Sequence, residues 1–401
     1  MNKPQPILHV ITSLNLGGAE TMMCQIVEHT DRSRFEPIVV SLRPEGPLAD
    51  RIRATGAKLY CLDMGSYLQF PAAYSRLKAI MNEVKPALVQ TWMYHADFLG
   101  TMAARSLNPI PPVVWNVQHS SFCPKTTKTL SRWMRVLLSK LAAAWPDKIA
   151  VCSRTSIELH AGIGYPREKM LHIVNGADTV RFRPDEEAKK ALRDSLGLPE
   201  SARIIGMAGR NDPQKDYPNL FAAIREFQKT DRETYFIACG SGVTLEDAGL
   251  RALRASCPAP DRVLLLGPRQ DMPRVYPAFD LATLSSAYGE GLPLTLCEAI
   301  ACGLPGVVTD VGDSADVIGD CGKVVPPCDP ISLASAWREM LDLPADEWRK
   351  LRVRARARAE ERFALPAITA KYESLYTNLI DAKEAKTGSS HQTSLHIPAV
   401  V

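Results

Sequence analysis

The sequence lacks the marks of several protein classes. Its ten cysteines form no C-x-x-C pair and stand at no metal-ligand spacing with the eight histidines, so zinc-finger and redox-motif readings fall away. Reduced, buried thiols of a cytoplasmic protein remain. Charge of one sign is hardly in excess: 48 basic against 44 acidic residues leave a net charge of +4 spread along the chain. A dedicated nucleic-acid binder would show a clustered basic face instead. No N-terminal run has the charged-then-apolar layout of a signal peptide, and no segment reaches the roughly 18 apolar residues that a membrane span needs. The expectation is a protein of the cytoplasm, soluble or resting on the inner membrane surface.

What is present is a long alternation of apolar runs and helical patterns. Residues 7–14, 35–42, 57–62, 87–92, 112–119, 148–152 and 170–174 read as strands, with helices such as 21–29 and 74–84 between most of them. A second series follows at 202–208, 234–239, 263–267, 281–284 and 306–309. Alternation of this kind means parallel sheet with crossover helices. With 401 residues and 46% apolar side chains, two domains with two cores are expected. Asn175-Gly176-Ala177-Asp178, followed by Pro184 and the acidic run from Asp185, reads as the linker into a new helix.

The second series holds the most informative stretch, LATLSSAYGEGLPLTLCEAIACGLPGVVTD, residues 281–310. It reads as strand, loop and helix, with the helix entered at Pro293 and ended by Cys302-Gly303. Glu290 sits in the loop and Glu298 in the second helical turn. Gly289 and Gly291 flank Glu290, so backbone there can approach a ligand closely. The N–H groups of Leu294 and Thr295 lie at the positive end of the helix dipole, which makes an anion site. A phosphate held there leaves Glu298 within reach of a sugar diol. Taken singly, Glu298 reads better as an exposed helix carboxylate and Glu290 as a solvated turn residue.

Three further loops stand at the carboxyl ends of strands, where ligands of open α/β sheets collect. The first, LGGAE, carries Gly17 and Gly18, which open space or serve a tight turn of positive φ. It is no G-x-G-x-x-G fingerprint, because the third glycine is missing. In GRNDPQKD, Arg210 and Lys215 supply the forked and the compact cation that a diphosphate takes. Gly240-Ser241-Gly242 offers backbone amides to phosphate, with Leu245 where a dinucleotide motif would need glycine. His119, beside Ser120 and Ser121, and His95, one crossover earlier, also end or follow strands, where a satisfied structural histidine is common.

The Glu-x7-Glu spacing, with EAIACGLP, the glycine loop, the Arg and Lys pair and the Asn-Gly-x-Asp run, resembles the retaining glycosyltransferase family 4 of GT-B fold. The resemblance implies two Rossmann-like parallel-sheet domains facing across a cleft. They would comprise 1–180 on the acceptor side, with a crossing helix 367–382, and 181–366 on the nucleotide-sugar side. It implies that Glu290 contacts the donor sugar, Glu298 the ribose, Arg210 and Lys215 the diphosphate, and that His119 hydrogen-bonds the sugar. It also implies that Gly17 and Gly18 line the cleft and that no metal cofactor is required; Gly312 to Ser314, in the loop after Val308, read by their position as a further lining of the sugar site. UDP-sugars are the family's commonest donors. The acceptor would be a glycan, a lipid-linked or a small molecule, in polysaccharide or glycoconjugate biosynthesis. The rival readings are a GT-B nucleotide-sugar epimerase and a non-catalytic sugar-binding module.

Three segments lie outside these motifs. Residues 129–144 place Leu130, Trp133, Met134, Leu137 and Leu141 at helical spacing, with Lys125, Lys128, Arg132, Arg135 and Lys140 around them. Such a stripe could rest on an anionic bilayer or pack on the sheet as a crossover helix does. The helix over 347–363 alternates Arg with Ala and reads as a solvated face answering nearby acids. Residues 383–401 lack periodicity and read as a disordered tail.

Overall fold

Strands that are apolar on both faces fold here into two parallel sheets, each covered by helices on both sides, because a parallel sheet must bury both faces. The computed structural model describes residues 3–119 and 129–392. The first unit takes the chain up to Val174 and again from Pro366. Its seven strands are β1 Gln5–Ile11, β2 Phe35–Ser41, β3 Lys58–Cys61, β4 Leu88–Trp92, β5 Val113–Val117, β6 Lys148–Val151 and β7 Met170–His172, in the order β3-β2-β1-β4-β5-β6-β7. The second unit holds β8 Ile204–Ala208, β9 Tyr235–Cys239, β10 Val263–Leu265, β11 Leu281–Leu284, β12 Gly306–Thr309 and β13 Gly322–Val325, in the order β10-β9-β8-β11-β12-β13. Every strand pair is parallel, with β1 paired in register to both β2 and β4.

The two orders share one feature that places function. Strand order reverses between β1 and β4 in the first sheet and between β8 and β11 in the second. Crossovers leave the sheet in opposite directions at such a point, so a crevice opens at the carboxyl ends of the two central strands. In the second unit the loops beside that crevice are 209–216 and 285–293.

The change of unit falls at Val174, earlier than the expected residue 180. The Asn175–Phe182 run is bonded into the second unit: the Asn175 side chain donates to Leu292 O, and Ala177 bridges Ala364. The terminal helix, Leu365–Gln392, adds two tyrosines to the first core. Asn116 Nδ2 donates to Tyr372 Oη at 2.7 Å, and Tyr376 Oη donates to Gln90 Oε1, so that helix supplies partners to one polar atom on each of two buried strand amides. The helix runs through residues 383–392, which had read as aperiodic; residues 393–401 lie outside the described residues.

Two other expectations change. The first-unit helix begins at Gly18 rather than at Thr21. Gly17 is extended, with φ −148°, so no left-handed turn requires glycine there. Instead a Cβ would stand 2.4 Å from the Glu20 carboxylate. The arginine run lies on the helix Ala345–Arg362, and it is more than a solvated face. Arg356 donates to Ala301 O, Phe182 O and Thr179 O, and Arg358 to Val317 O, so cations close the carbonyl ends of the two helices 294–301 and 314–318.

The helix Thr129–Leu141 packs through Leu138 and the partly buried Met134 and Leu141. Trp133, Val136 and Leu137 remain exposed, Trp133 at 69%, with Arg132 and Lys140 exposed beside them. The apolar stripe is therefore split into an inner and an outer face. Lys125, Lys128 and the side chain of Leu130 lie outside what is described. Among the described residues no helix is long and apolar enough to cross a membrane. The nine cysteines among them are free thiols; Cys328, unlike the buried majority, is exposed.

Candidate functional site

The loop after β8 is built by short-range polar chemistry. Asp212 accepts from Gln214 N, Pro213 opens a single 3-10 turn, and Asp216, in the left-handed region at φ 49°, caps the next helix through Asn219 N. These constraints point Lys215 inward, where it is only 9% exposed. Tyr217 Oη donates to Gly209 O at 2.7 Å and fixes the start of the same loop.

The loop after β11 meets it. Ser285 Oγ donates to Lys215 O at 2.7 Å, and Ala287 N donates to Gln214 O at 2.9 Å. Across this seam Lys215 Nζ bonds Glu290 Oε1 at 2.6 Å, and Ser286 Oγ donates to the same oxygen at 2.5 Å. Burial pushes the Glu290 carboxyl up, but the Lys215 ammonium and hydrogen bonds from Lys215, Ser286 and Gln214 outweigh it, so the group sits below its ordinary range. Glu290 is therefore an ionised carboxylate in a buried place, with its partner cation 75 residues away in sequence.

Gly289 takes φ 80°, a left-handed conformation that puts the backbone of Glu290 where it is. Gly312 presses on that backbone from the next loop: a Cβ there would stand 1.9 Å from Glu290 O, and Asp313 N donates to Gly291 O at 2.9 Å. The helix starts at Leu294, with Pro293 one place earlier than a first-turn proline, in the capping position. Gly303, at φ 71°, follows its last turn as the sequence indicated. Glu298, half-buried on this helix, accepts from Tyr276 Oη at 3.2 Å. Burial, then the nearby Glu298 charge, raises the Tyr276 phenol well above its ordinary value, so it stays a donor.

Of the sequence-expected residues, Lys215 and Glu290 are brought into direct contact. Arg210 lies on the same loop as Lys215, exposed and with no ion-pair partner among the described residues. Gly240 is a correction. Its N–H donates to Gly267 O at 2.8 Å and is not offered to phosphate, while a Cβ would stand 2.1 Å from Gly209 O. Its glycine serves the close approach of two loops. Gly17, Gly18 and His119 belong to the first unit; His119 follows β5, half-buried, and its carbonyl accepts from Ser156 Oγ at 3.0 Å. Ser120 and Ser121 lie outside the described residues. Sequence reasoning missed Ser285, Ser286, Asn175 and Tyr276, single polar residues whose partners are remote in the chain. No group of three or more metal-ligating side chains occurs among the described residues.

Two doubly wound sheets, the second with a cation, a carboxylate and a helix N-terminus at its switch point, are the architecture that a glycosyltransferase of GT-B fold with a nucleotide-sugar donor calls for, and the comparisons with known proteins assign the chain to that class. A family model described as Glycosyl transferases group 1 matches residues 188–362, and one described as Glycosyltransferase Family 4 matches residues 16–181. The chain belongs to this family. It is 30% identical over 259 residues to the lipopolysaccharide core biosynthesis mannosyltransferase LpsB of Rhizobium meliloti, covering 61% of this chain and 68% of that one. It is 27% identical to the UDP-Gal:alpha-D-GlcNAc-diphosphoundecaprenol alpha-1,3-galactosyltransferase of Escherichia coli, over 76% of this chain and 79% of that one. The crystal structure of Anabaena HepE in complex with UDP superposes with a TM-score of 0.81 at 20% identity, over 93% of this chain and 100% of the other.

Proposed function

We propose that the protein moves a sugar, with retention, from a UDP-sugar to a lipid-diphosphate-linked glycan at a membrane surface, in the assembly of a polysaccharide or glycoconjugate. The observation that carries the donor site is the buried Lys215–Glu290 pair beside the N-terminus of the helix Leu294–Ala301. Lys215 keeps N–H donors beyond the one given to Glu290, and these, with Arg210 and the Leu294 and Thr295 amides, take the diphosphate. Gly289 and Gly291 let the backbone come close. As the bond to the sugar breaks, negative charge builds on the diphosphate, where fixed cations and amides stabilise it most. Glu290, kept ionised and immobile, accepts from sugar hydroxyls. Glu298 takes the ribose diol, with Tyr276 fixing its orientation. His119 hydrogen-bonds a sugar hydroxyl. Attack on the same face as departure needs no enzyme nucleophile, and none is assigned.

UDP is favoured because a relative matched over most of both chains uses UDP-Gal, and its acceptor is lipid-linked. The exposed Trp133, Val136 and Leu137, between Arg132 and Lys140, suit an anionic bilayer that holds such an acceptor. An epimerase fits less well: it would need groups that trade protons near neutrality, whereas Glu290 is held ionised by its lysine. The test is nucleotide release from a panel of UDP-, GDP- and ADP-sugars, with and without a polyprenyl-diphosphate sugar as acceptor. Acceptor-stimulated release from one UDP-sugar is expected; acceptor-independent isomerisation, or release from GDP-sugars alone, would overturn the reading. Pelleting with anionic vesicles, weakened in Trp133→Ser, checks the surface contact.

A further inference from the structure

Behind His119 lies a line of buried polar groups that the reaction described above does not use. Ser156 Oγ donates to His119 O at 3.0 Å, and Ser153 Oγ donates to Ser156 Oγ at 2.7 Å. Ser153 in turn accepts from Ser156 N and so starts the helix Arg154–Gly162. One turn further, His160 Nδ1 lies 2.7 Å from Ser156 O, and His160 Nε2 lies 2.9 Å from Tyr94 Oη. Arg135, on the inner face of the helix Thr129–Leu141, hydrogen-bonds Tyr94.

The protons in this line can be counted. A carbonyl only accepts, so His160 Nδ1 carries the hydrogen and Nε2 is bare. Tyr94 must then give its hydroxyl hydrogen to Nε2, and the Arg135 guanidinium gives one of its own to the Tyr94 oxygen. Every bond has one donor and one acceptor if His160 is neutral. Burial, which outweighs the other influences on it, lowers His160 to about 4 and keeps it so.

We propose that Ser156, His160 and Tyr94 are positioning residues for His119, holding the backbone that presents this histidine to the donor sugar. The proposal rests on the reading that His119 contacts that sugar. β5 ends at Val117, two residues before His119, so the strand ladder itself does not fix the His119 carbonyl. Ser156 does. It is held by its own helix, and that helix is held through His160 by Tyr94 and Arg135. Within this arrangement Ser156 sets the carbonyl position, and His160 with Tyr94 sets where Ser156 stands. A displacement of about 1 Å at a reacting group can cost on the order of a hundredfold in rate.

The experiment is a set of double-mutant cycles in kcat and in KM for the donor, using whichever nucleotide sugar is turned over fastest in the release panel. Ser156→Ala and Tyr94→Phe, the latter keeping the ring and the fold, are each combined with His119→Ala. Expected is a fall in kcat of about tenfold for each single variant with donor KM changed by less than about threefold, and no further fall when His119 is already Ala. Ser156→Thr, which restores the hydroxyl, is expected to recover most of the rate. If His119→Ala slows turnover while Ser156→Ala and Tyr94→Phe do not, or if their effects multiply with it, the positioning role is wrong and the reading of His119 stands. If His119→Ala itself leaves kcat unchanged, both fall.

Discussion

Replacing Lys215 by Met tests the buried pair on which the proposed donor site is built, because it removes the charge and keeps most of the volume. At 2.6 Å and an effective dielectric near 20, the attraction lost is about 6 kcal/mol. Part of this is offset because Lys215 no longer has to be buried as an ion, and breaking a buried pair this way costs about 3–5 kcal/mol of folding stability. The loss depends on pH, and its sign follows from Glu290. In the wild type its carboxyl lies below its ordinary value, a stabilising contribution present above the unfolded value and lost as pH falls through the folded one. Without Lys215 the largest remaining influence is burial, which raises the carboxyl, so the buried group becomes a liability as pH rises above about 4.5. Urea unfolding of wild type, Lys215→Met, Glu290→Gln and the double variant between pH 4 and 8 reads this directly. The Lys215→Met deficit is expected to be small at pH 4, to grow towards pH 7, and to shrink again when Glu290→Gln is added. A deficit that is constant across pH, or absent at pH 7, would refute the reasoning.

Gly312→Ala is expected to weaken UDP binding at least tenfold and to destabilise the chain by about 1–3 kcal/mol, since its Cβ would fall 1.9 Å from Glu290 O at a φ of 60°; unchanged affinity by calorimetry would contradict the role given to that loop. His9, a buried residue of β1 with Trp92 Nε1 donating to its Nδ1, is lowered to about 3, mainly by burial and then by the charge of Arg32. The unfolded chain therefore binds a proton below about 6.5 that the folded chain refuses. Stability falls by about 2 kcal/mol from this group between pH 7.5 and 5. His9→Gln should remove that slope, and equal slopes by urea unfolding would count against it.

Much of the proposed site's local layout was legible because its parts are local in sequence. The Glu290 and Glu298 spacing, the flanking glycines and the Arg210 and Lys215 loop each sit within one strand-loop-helix unit, where period and turn chemistry speak. What joins the units was not legible. Nothing in the sequence says that Ser285 and Ser286 lock the Lys215 loop, or that Asn175 steadies Leu292, because those contacts depend on which strands lie side by side. Gly240 shows a different limit. A glycine after a strand reads the same whether its N–H awaits a phosphate or, as here, is taken by Gly267 O while the missing Cβ lets two loops touch. The arginine run misled in a related way: composition showed charge and helix but not that Arg356 and Arg358 reach carbonyl ends of neighbouring helices. The split of the Thr129–Leu141 stripe into inner and outer faces likewise depends on how the helix is rotated against its sheet.

The central claim is that a nucleoside diphosphate is held in the second unit by Lys215, the adjoining helix amides and Glu298. Thermal unfolding with UDP tests it most directly, since a ligand that binds only the folded chain stabilises it by about 2.7 kcal/mol at a hundred times its Kd. UDP is expected to raise the wild-type Tm, 2′-deoxy-UDP to raise it less, and both increments to shrink in Lys215→Ala. In Glu298→Ala the two nucleotides should become equivalent. Equal increments in wild type and both variants would contradict the account.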